Sequence, residues 1–176
     1  IAANVGNTIY IDNMKIINEN DTKKPIIVEA ESGIVGTDFE SLQNGDITFI
    51  RILSDGADYS PAIWDYPGFA KRAAQYLVTF PDTGIYNLFA HVRVGANRYN
   101  DDSFFYGNGF GIKDSVNNDD WITVNGLQVS GFLDTNNVVN DPGGLGEGVW
   151  KWVNLSKNTY SGEQGIAFLV TNDSLS

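Results

Sequence analysis

Cysteine does not occur among the 176 residues, which excludes disulfides, thiolate metal centres and cysteine catalysis. Histidine occurs once, as His91, so any metal site or reaction that needs two imidazoles is excluded by counting. Positive charge is scarce: 11 Lys and Arg stand against 22 Asp and Glu, for a net charge of −11. Such a chain repels nucleic acid and anionic membrane, and it offers many oxygen ligands to hard cations such as calcium. No basic cluster with interleaved aromatics occurs, no apolar run is long enough to span a membrane, and no signal peptide opens the chain. The opening, IAANVGNTIYIDNM, reads as mid-protein sequence, as in a piece excised from something longer.

What is present is an apolar share of 42 %, enough for the core of one domain. Helical periodicity is scarce. Short segments rich in Val, Ile, Tyr, Phe and Thr alternate with clusters of Gly, Asn, Asp and Pro, the pattern of an all-β sandwich. The clearest unit is QYLVTFPDTGIYNLFAHVRV. Tyr76, Val78 and Phe80 share one face, PDTG turns the chain, and Tyr86, Leu88, Ala90, Val92 and Val94 share a face on the return. This predicts a hairpin. Further strands are expected at Thr8–Asn13, Pro25–Glu31, Thr48–Leu53, Asp102–Tyr106, Trp121–Val124, Val149–Leu155 and Gly165–Thr171, with one helical turn at most in PGFAKRAAQ. The polar stretch INENDTKKP marks a boundary. Residues 1–20 then form a terminal strand or linker from a preceding module, or an extra strand packed on the main domain at 25–176. Long loops at Asp55–Lys71, Gly95–Asp101, Gly107–Asp120 and Ser130–Gly148 are of the length that usually carries function.

The stretch IIVEAES raises a question of charge. If it is extended throughout, Glu29 and Glu31 point the same way, roughly 7 Å apart. Lys, Arg or a metal ion is needed between them, and the sequence alone leaves the three open.

Four segments in order carry a resemblance. VEAES resembles the first-strand signature of carbohydrate-binding modules of families 6 and 35. YLVTFPDTGIYNLFAHVRV is similar to their central hairpin, NDDSFFYG to the strand that follows, and WKWVNL to their late Trp-x-Trp strand. The resemblance spans about Pro25 to Ser176. It implies a β-sandwich jelly roll of two antiparallel sheets, and a non-catalytic, monomeric module of a secreted or cell-surface bacterial enzyme that degrades polysaccharide. The partners so implied are a polysaccharide or oligosaccharide and the parent catalytic domain in cis. It also implies a structural calcium held by Glu29, Glu31, a carbonyl near Arg51 and an acidic residue near the C-terminus, here Asp173. The family places that acid inside its final strand, whereas QGIAFLVTNDSLS has none before Asp173, so Asp12 or water, and after them Glu163, are alternative ligands.

Sugars are gripped by exposed rings beside in-plane hydrogen-bonding side chains. Such modules bind either at loops on one end or on a sheet face. The loop DYSPAIWDYPG supplies Tyr59, Trp64 and Tyr66, GANRYNDD supplies Arg98, Tyr99 and Asn100, and Trp121 follows Asp119 and Asp120. Each has a plainer role: Trp64 as a loop anchor, Trp121 as strand packing, Arg98 as an ion pair with Asp101 or Asp102. Trp150 and Trp152 alternate within a strand and read as core. His91 lies opposite the Leu88, Ala90 and Val92 face, without a nucleophile elbow nearby, and reads as a satisfied sheet histidine rather than a catalytic base. A catalytic jelly-roll lyase or hydrolase and a calcium-stabilised adhesive spacer are the competing expectations.

Overall fold

The computed structural model describes residues 2–3, 9–54, 58–133, 148–160 and 163–171. It is all-β. In chain order the strands are β1 (Ala2–Ala3), β2 (Ile9–Asn18), β3 (Asp21–Glu29), β4 (Ile34–Val35), β5 (Phe39–Asn44), β6 (Ile47–Ile52), β7 (Ala74–Gln75), β8 (Gly84–Val94), β9 (Phe104–Gly107), β10 (Trp121–Val124), β11 (Trp150–Asn154), β12 (Thr159–Tyr160), β13 (Glu163–Gln164) and β14 (Phe168–Val170). A seven-stranded sheet is built on β8 and β2, which pair antiparallel from Ile9↔Val94 to Asn18↔Tyr86. The far edge of β8 takes β11 and β14 in succession, and the far edge of β2 takes β6, with β5 beyond it, and β3. A three-stranded sheet has the order β1-β9-β10, and β4-β7 and β12-β13 are two-stranded pairs. This architecture is compatible with a β-sandwich.

The core follows from alternation. Tyr86, Leu88, Ala90, Val92 and Val94 are buried, as the sequence predicts, and meet Ile9, Ile11, Met14 and Ile16 of β2 together with Phe104, Tyr106 and Val124 of the smaller sheet. Residues 9–18 therefore lie inside the large sheet, and the stretch read as a boundary contains the tight turn of the β2–β3 hairpin.

Two expectations are corrected. Residues 76–80 form no strand: Tyr76, Val78 and Phe80 pack on the core, but the segment does not pair with β8. Both edges of β8 are already occupied by β2 and by β11 with β14, so no edge remains for a hairpin partner. The expected strand Pro25–Glu31 ends at Glu29. Residues Ala30–Ser32 form a 3-10 turn that buries Ala30, with the Ser32 hydroxyl donating to the Glu29 carbonyl at 2.7 Å. Strand alternation thus stops before Glu31, and Glu29 and Glu31 do not share a strand face. The turn in PGFAKRAAQ is a 3-10 turn, Ala70–Arg72, leading into β7.

Candidate functional site

The side of the large sheet away from the core is set by what the core takes. Burial of Ile9 and Ile11 turns Tyr10 and Asp12 outward. A register shift between Ile11 and Met14 then restores Met14 and Ile16 to the core and leaves Lys15 outward. In β8 the outward residues are Phe89, His91 and Arg93. In β11 they are Trp150 and Trp152, because Lys151 and Val153 are buried. The core reading of the two tryptophans is therefore corrected. Lys151 takes the inward position because its ammonium has a partner there, donating to the Gln128 carbonyl at 2.9 Å.

These outward residues form one column. The His91 ring stacks between Trp152 and Trp150, at centroid distances of 4.8 and 5.3 Å and interplanar angles of 24° and 30°. Lys15 Nζ lies 3.8 Å from the Trp152 centroid. The Arg93 guanidinium lies 4.2 Å from Tyr10 and 5.3 Å from Trp150, and Phe49 meets both rings edge-on. His91 Nδ1 is 2.7 Å from Asp12 Oδ2, which also accepts from Asn13 Nδ2. Arg51 is paired with its cross-strand neighbour Glu40. From Trp150 to Asn154 the face runs about 13 Å along β11. A cavity of about 370 Å³ lined by Tyr10, Arg93 and Gly148 opens near one end, and one of about 310 Å³ lined by Phe132, Asn154 and Asn158 near the other.

The residues expected to bind sugar fall into separate groups. Tyr59 is half-buried, its hydroxyl 3.0 Å from Ser54 Oγ and its ring 4.8 Å from Phe69 and 5.4 Å from the Arg72 guanidinium. Tyr66 packs with Ala73 against Phe105 and Trp121. Trp121 is buried, and its indole N–H donates to the Asp114 carbonyl at 2.8 Å, so its packing role is the one realised. Trp64 is 48 % exposed. Arg98, Tyr99 and Asn100 form an exposed 3-10 turn beyond β8, with Tyr99 57 % exposed and Arg98 in the left-handed region at φ 57°. The loops after β6 and β8 leave the sheet at the same end, since Arg51 and Val94 pair with Tyr10 and Ile9. Within the loops, Tyr66 and Trp121 are brought together. The column of the large sheet was not anticipated as a unit, although the alternation of β8 already placed His91 and Arg93 outside the core.

Of the expected metal ligands, Glu29 is exposed at the end of β3 and Asp173 lies outside the described residues. Glu31 Oε2 is buried without a hydrogen-bond partner, and so is Oδ1 of Asn13, the residue that pairs with Glu29. Buried orphan oxygens are what a hard cation satisfies. Among the described residues no group of three or more His, Cys, Asp or Glu side chains is arranged to hold a metal.

A second buried polar cluster lies on the core side of β11. Asp102 is 1 % exposed, and its Oδ2 accepts from the Gln128 N–H at 3.3 Å. Burial pushes its carboxyl up to about 6, against the opposing pull of that N–H and of Lys151. Burial likewise draws the Lys151 ammonium down to about 8, against the pull of Asp102.

Compared with family models, curated proteins and solved structures, the chain matches none.

Proposed function

We propose that the chain is a non-catalytic carbohydrate-binding module with a jelly-roll topology, and that glycan lies along the outer face of the large sheet. The observation that carries this reading is the juxtaposition of Tyr10, Trp150 and Trp152 with Asp12, Lys15, Arg93 and Asn154 on one side of β2, β8 and β11. Rings supply apolar area at small entropic cost, and the polar groups beside them supply donors and acceptors for hydroxyls. Trp64 and Tyr99, the most exposed rings of the two loops, offer further stacking positions. The module keeps a secreted polysaccharide-degrading enzyme beside its substrate by raising effective concentration.

A structural calcium near the end of β3 belongs to the same proposal, and what supports it is that Glu31 Oε2 and Asn13 Oδ1 are each buried without a hydrogen-bond partner. Its role there is to neutralise carboxylate and fix the turn after Glu29. A spacer reading draws on the same column, because its ring faces already stack on one another and on cations.

A glycan array with the purified chain, with calcium and with chelator, tests both. Binding that Trp152→Ala abolishes while the fold persists supports the module. Calcium-dependent melting with no glycan bound supports the spacer. Release of reducing ends or of unsaturated products would make it an enzyme instead.

A further inference from the structure

We infer that the glycan recognised on the outer face of the large sheet is a polyanion, carrying carboxylate or sulfate groups. This rests on the glycan-binding reading above and narrows its substrate class.

The charge distribution points that way. The chain has a net charge of −11 and only 11 Lys and Arg, yet Lys15, Arg51 and Arg93 all stand on this one face. The acids nearest them in the column are engaged, while Glu29, at the end of β3, is exposed on the same side. Asp12 is bonded to His91 and Asn13, and Glu40 to Arg51. At the far end Glu19 accepts from Asn87 and lies 3.5 Å from Lys157. Lys15 and Arg93 have no carboxylate partner among the described residues. Each is held instead over aromatic rings, Lys15 on Trp152 and Arg93 on Tyr10, Phe49 and Trp150.

That mode of holding matters for recognition. A guanidinium or ammonium resting on a ring keeps its positive charge, and the N–H donors of a stacked guanidinium remain in its plane, free for an acid group. Its rotamer is already restricted, so less entropy is lost on binding. With a Debye length of about 8 Å, carboxylates elsewhere on the molecule are largely screened from these cations. A neutral glycan needs rings and amides. It gives no reason to order two unpaired cations on a face of an acidic chain.

The test uses matched probes that differ in charge. Polygalacturonate is set against its methyl-esterified form, and chondroitin sulfate against desulfated chondroitin, with tryptophan fluorescence and calorimetry as readouts. The expected result is binding to a charged member of a pair, lost in its partner or weakened at least about tenfold. It should weaken similarly as salt rises from about 0.1 M to about 1 M, where the Debye length falls from about 10 Å to about 3 Å. Which pair responds separates carboxylate from sulfate. Lys15→Gln with Arg93→Gln should lower affinity about tenfold or more, and Arg93→Lys, which keeps charge and risks less of the packing, should give an intermediate loss. Salt-insensitive binding of neutral or esterified glycans would overturn the charge assignment and leave the module reading standing. Charged-glycan binding that survives a folded Lys15→Gln and Arg93→Gln variant would overturn the placement. Failure of every charged and neutral glycan to bind would overturn both.

Discussion

Asp102 and Lys151 show how a buried pair sets a pH profile. The folded chain holds the Asp102 proton more tightly than an unfolded chain does, so this group favours folding at low pH. Its contribution is lost as pH rises from about 4 to about 6. Lys151 acts in the opposite direction. Its proton is held more weakly in the folded chain, so its penalty is lifted only as pH climbs from about 8 past the ordinary lysine value. Between about 6 and 8 both charges are buried and the pair is least favourable. The difference in urea unfolding free energy between wild type and Asp102→Asn should therefore change by on the order of 2–3 kcal/mol between about pH 4 and about pH 6. A constant difference would show that Asp102 titrates normally. At a neighbouring site, Trp121→Phe keeps most of the packing on Phe105 but strands the Asp114 carbonyl. It should cost about 1 kcal/mol in thermal or urea unfolding and leave glycan affinity unchanged.

Strands are where the sequence was most and least legible. The inward set of β8 was readable because alternation over eleven residues is a strong signal, and every predicted inward residue is buried. Alternation says nothing about which edge a strand meets, so the partner of 76–80 was not readable. It also cannot say which of the two faces of a short strand is buried when one holds tryptophan and the other lysine. β11 resolved that choice against hydropathy, because Lys151 finds Gln128 and Asp102 inside. The end of β3 at Glu29 was hidden as well, since Ala30 packs into the core from a 3-10 turn. Candidate site residues suffered from the same ambiguity: an aromatic ring in a loop reads alike whether it covers a sheet, as Tyr66 does, or faces water, as Trp64 does. Beside β12 and β13, Gly165 fits only because it lacks a side chain, since an added Cβ would strike the Leu155 carbonyl oxygen. Gly165→Ala should destabilise the protein by about 1–3 kcal/mol, measured as a shift in urea midpoint.

At the scale of the molecule, β2 joins the two halves of the large sheet. It buries Ile9, Ile11, Met14 and Ile16, each worth about 1.5–3 kcal/mol. Together these are comparable with the entire stability of an ordinary domain, about 5–15 kcal/mol. A chain starting at residue 19 should therefore lose cooperative unfolding and its near-ultraviolet signal. A truncated chain that melts with the wild-type transition would show that 25–176 folds alone. A polar turn between two strands of one hairpin has the same composition as a linker, so the sequence alone leaves both readings of residues 1–20 open.

The place of β2 between β8 on one side and β3 with β6 on the other has a mechanical consequence. Under the proposed function, a chain gripping a solid glycan while a neighbouring domain moves would be pulled, and load entering at Ile9 would run along the axis of β2. Its partners are antiparallel on both flanks, so that pull would slide two hydrogen-bonded ladders at once instead of peeling one bond after another. Forced unfolding is governed by its rate, and such a tether would hold far longer than its equilibrium stability suggests.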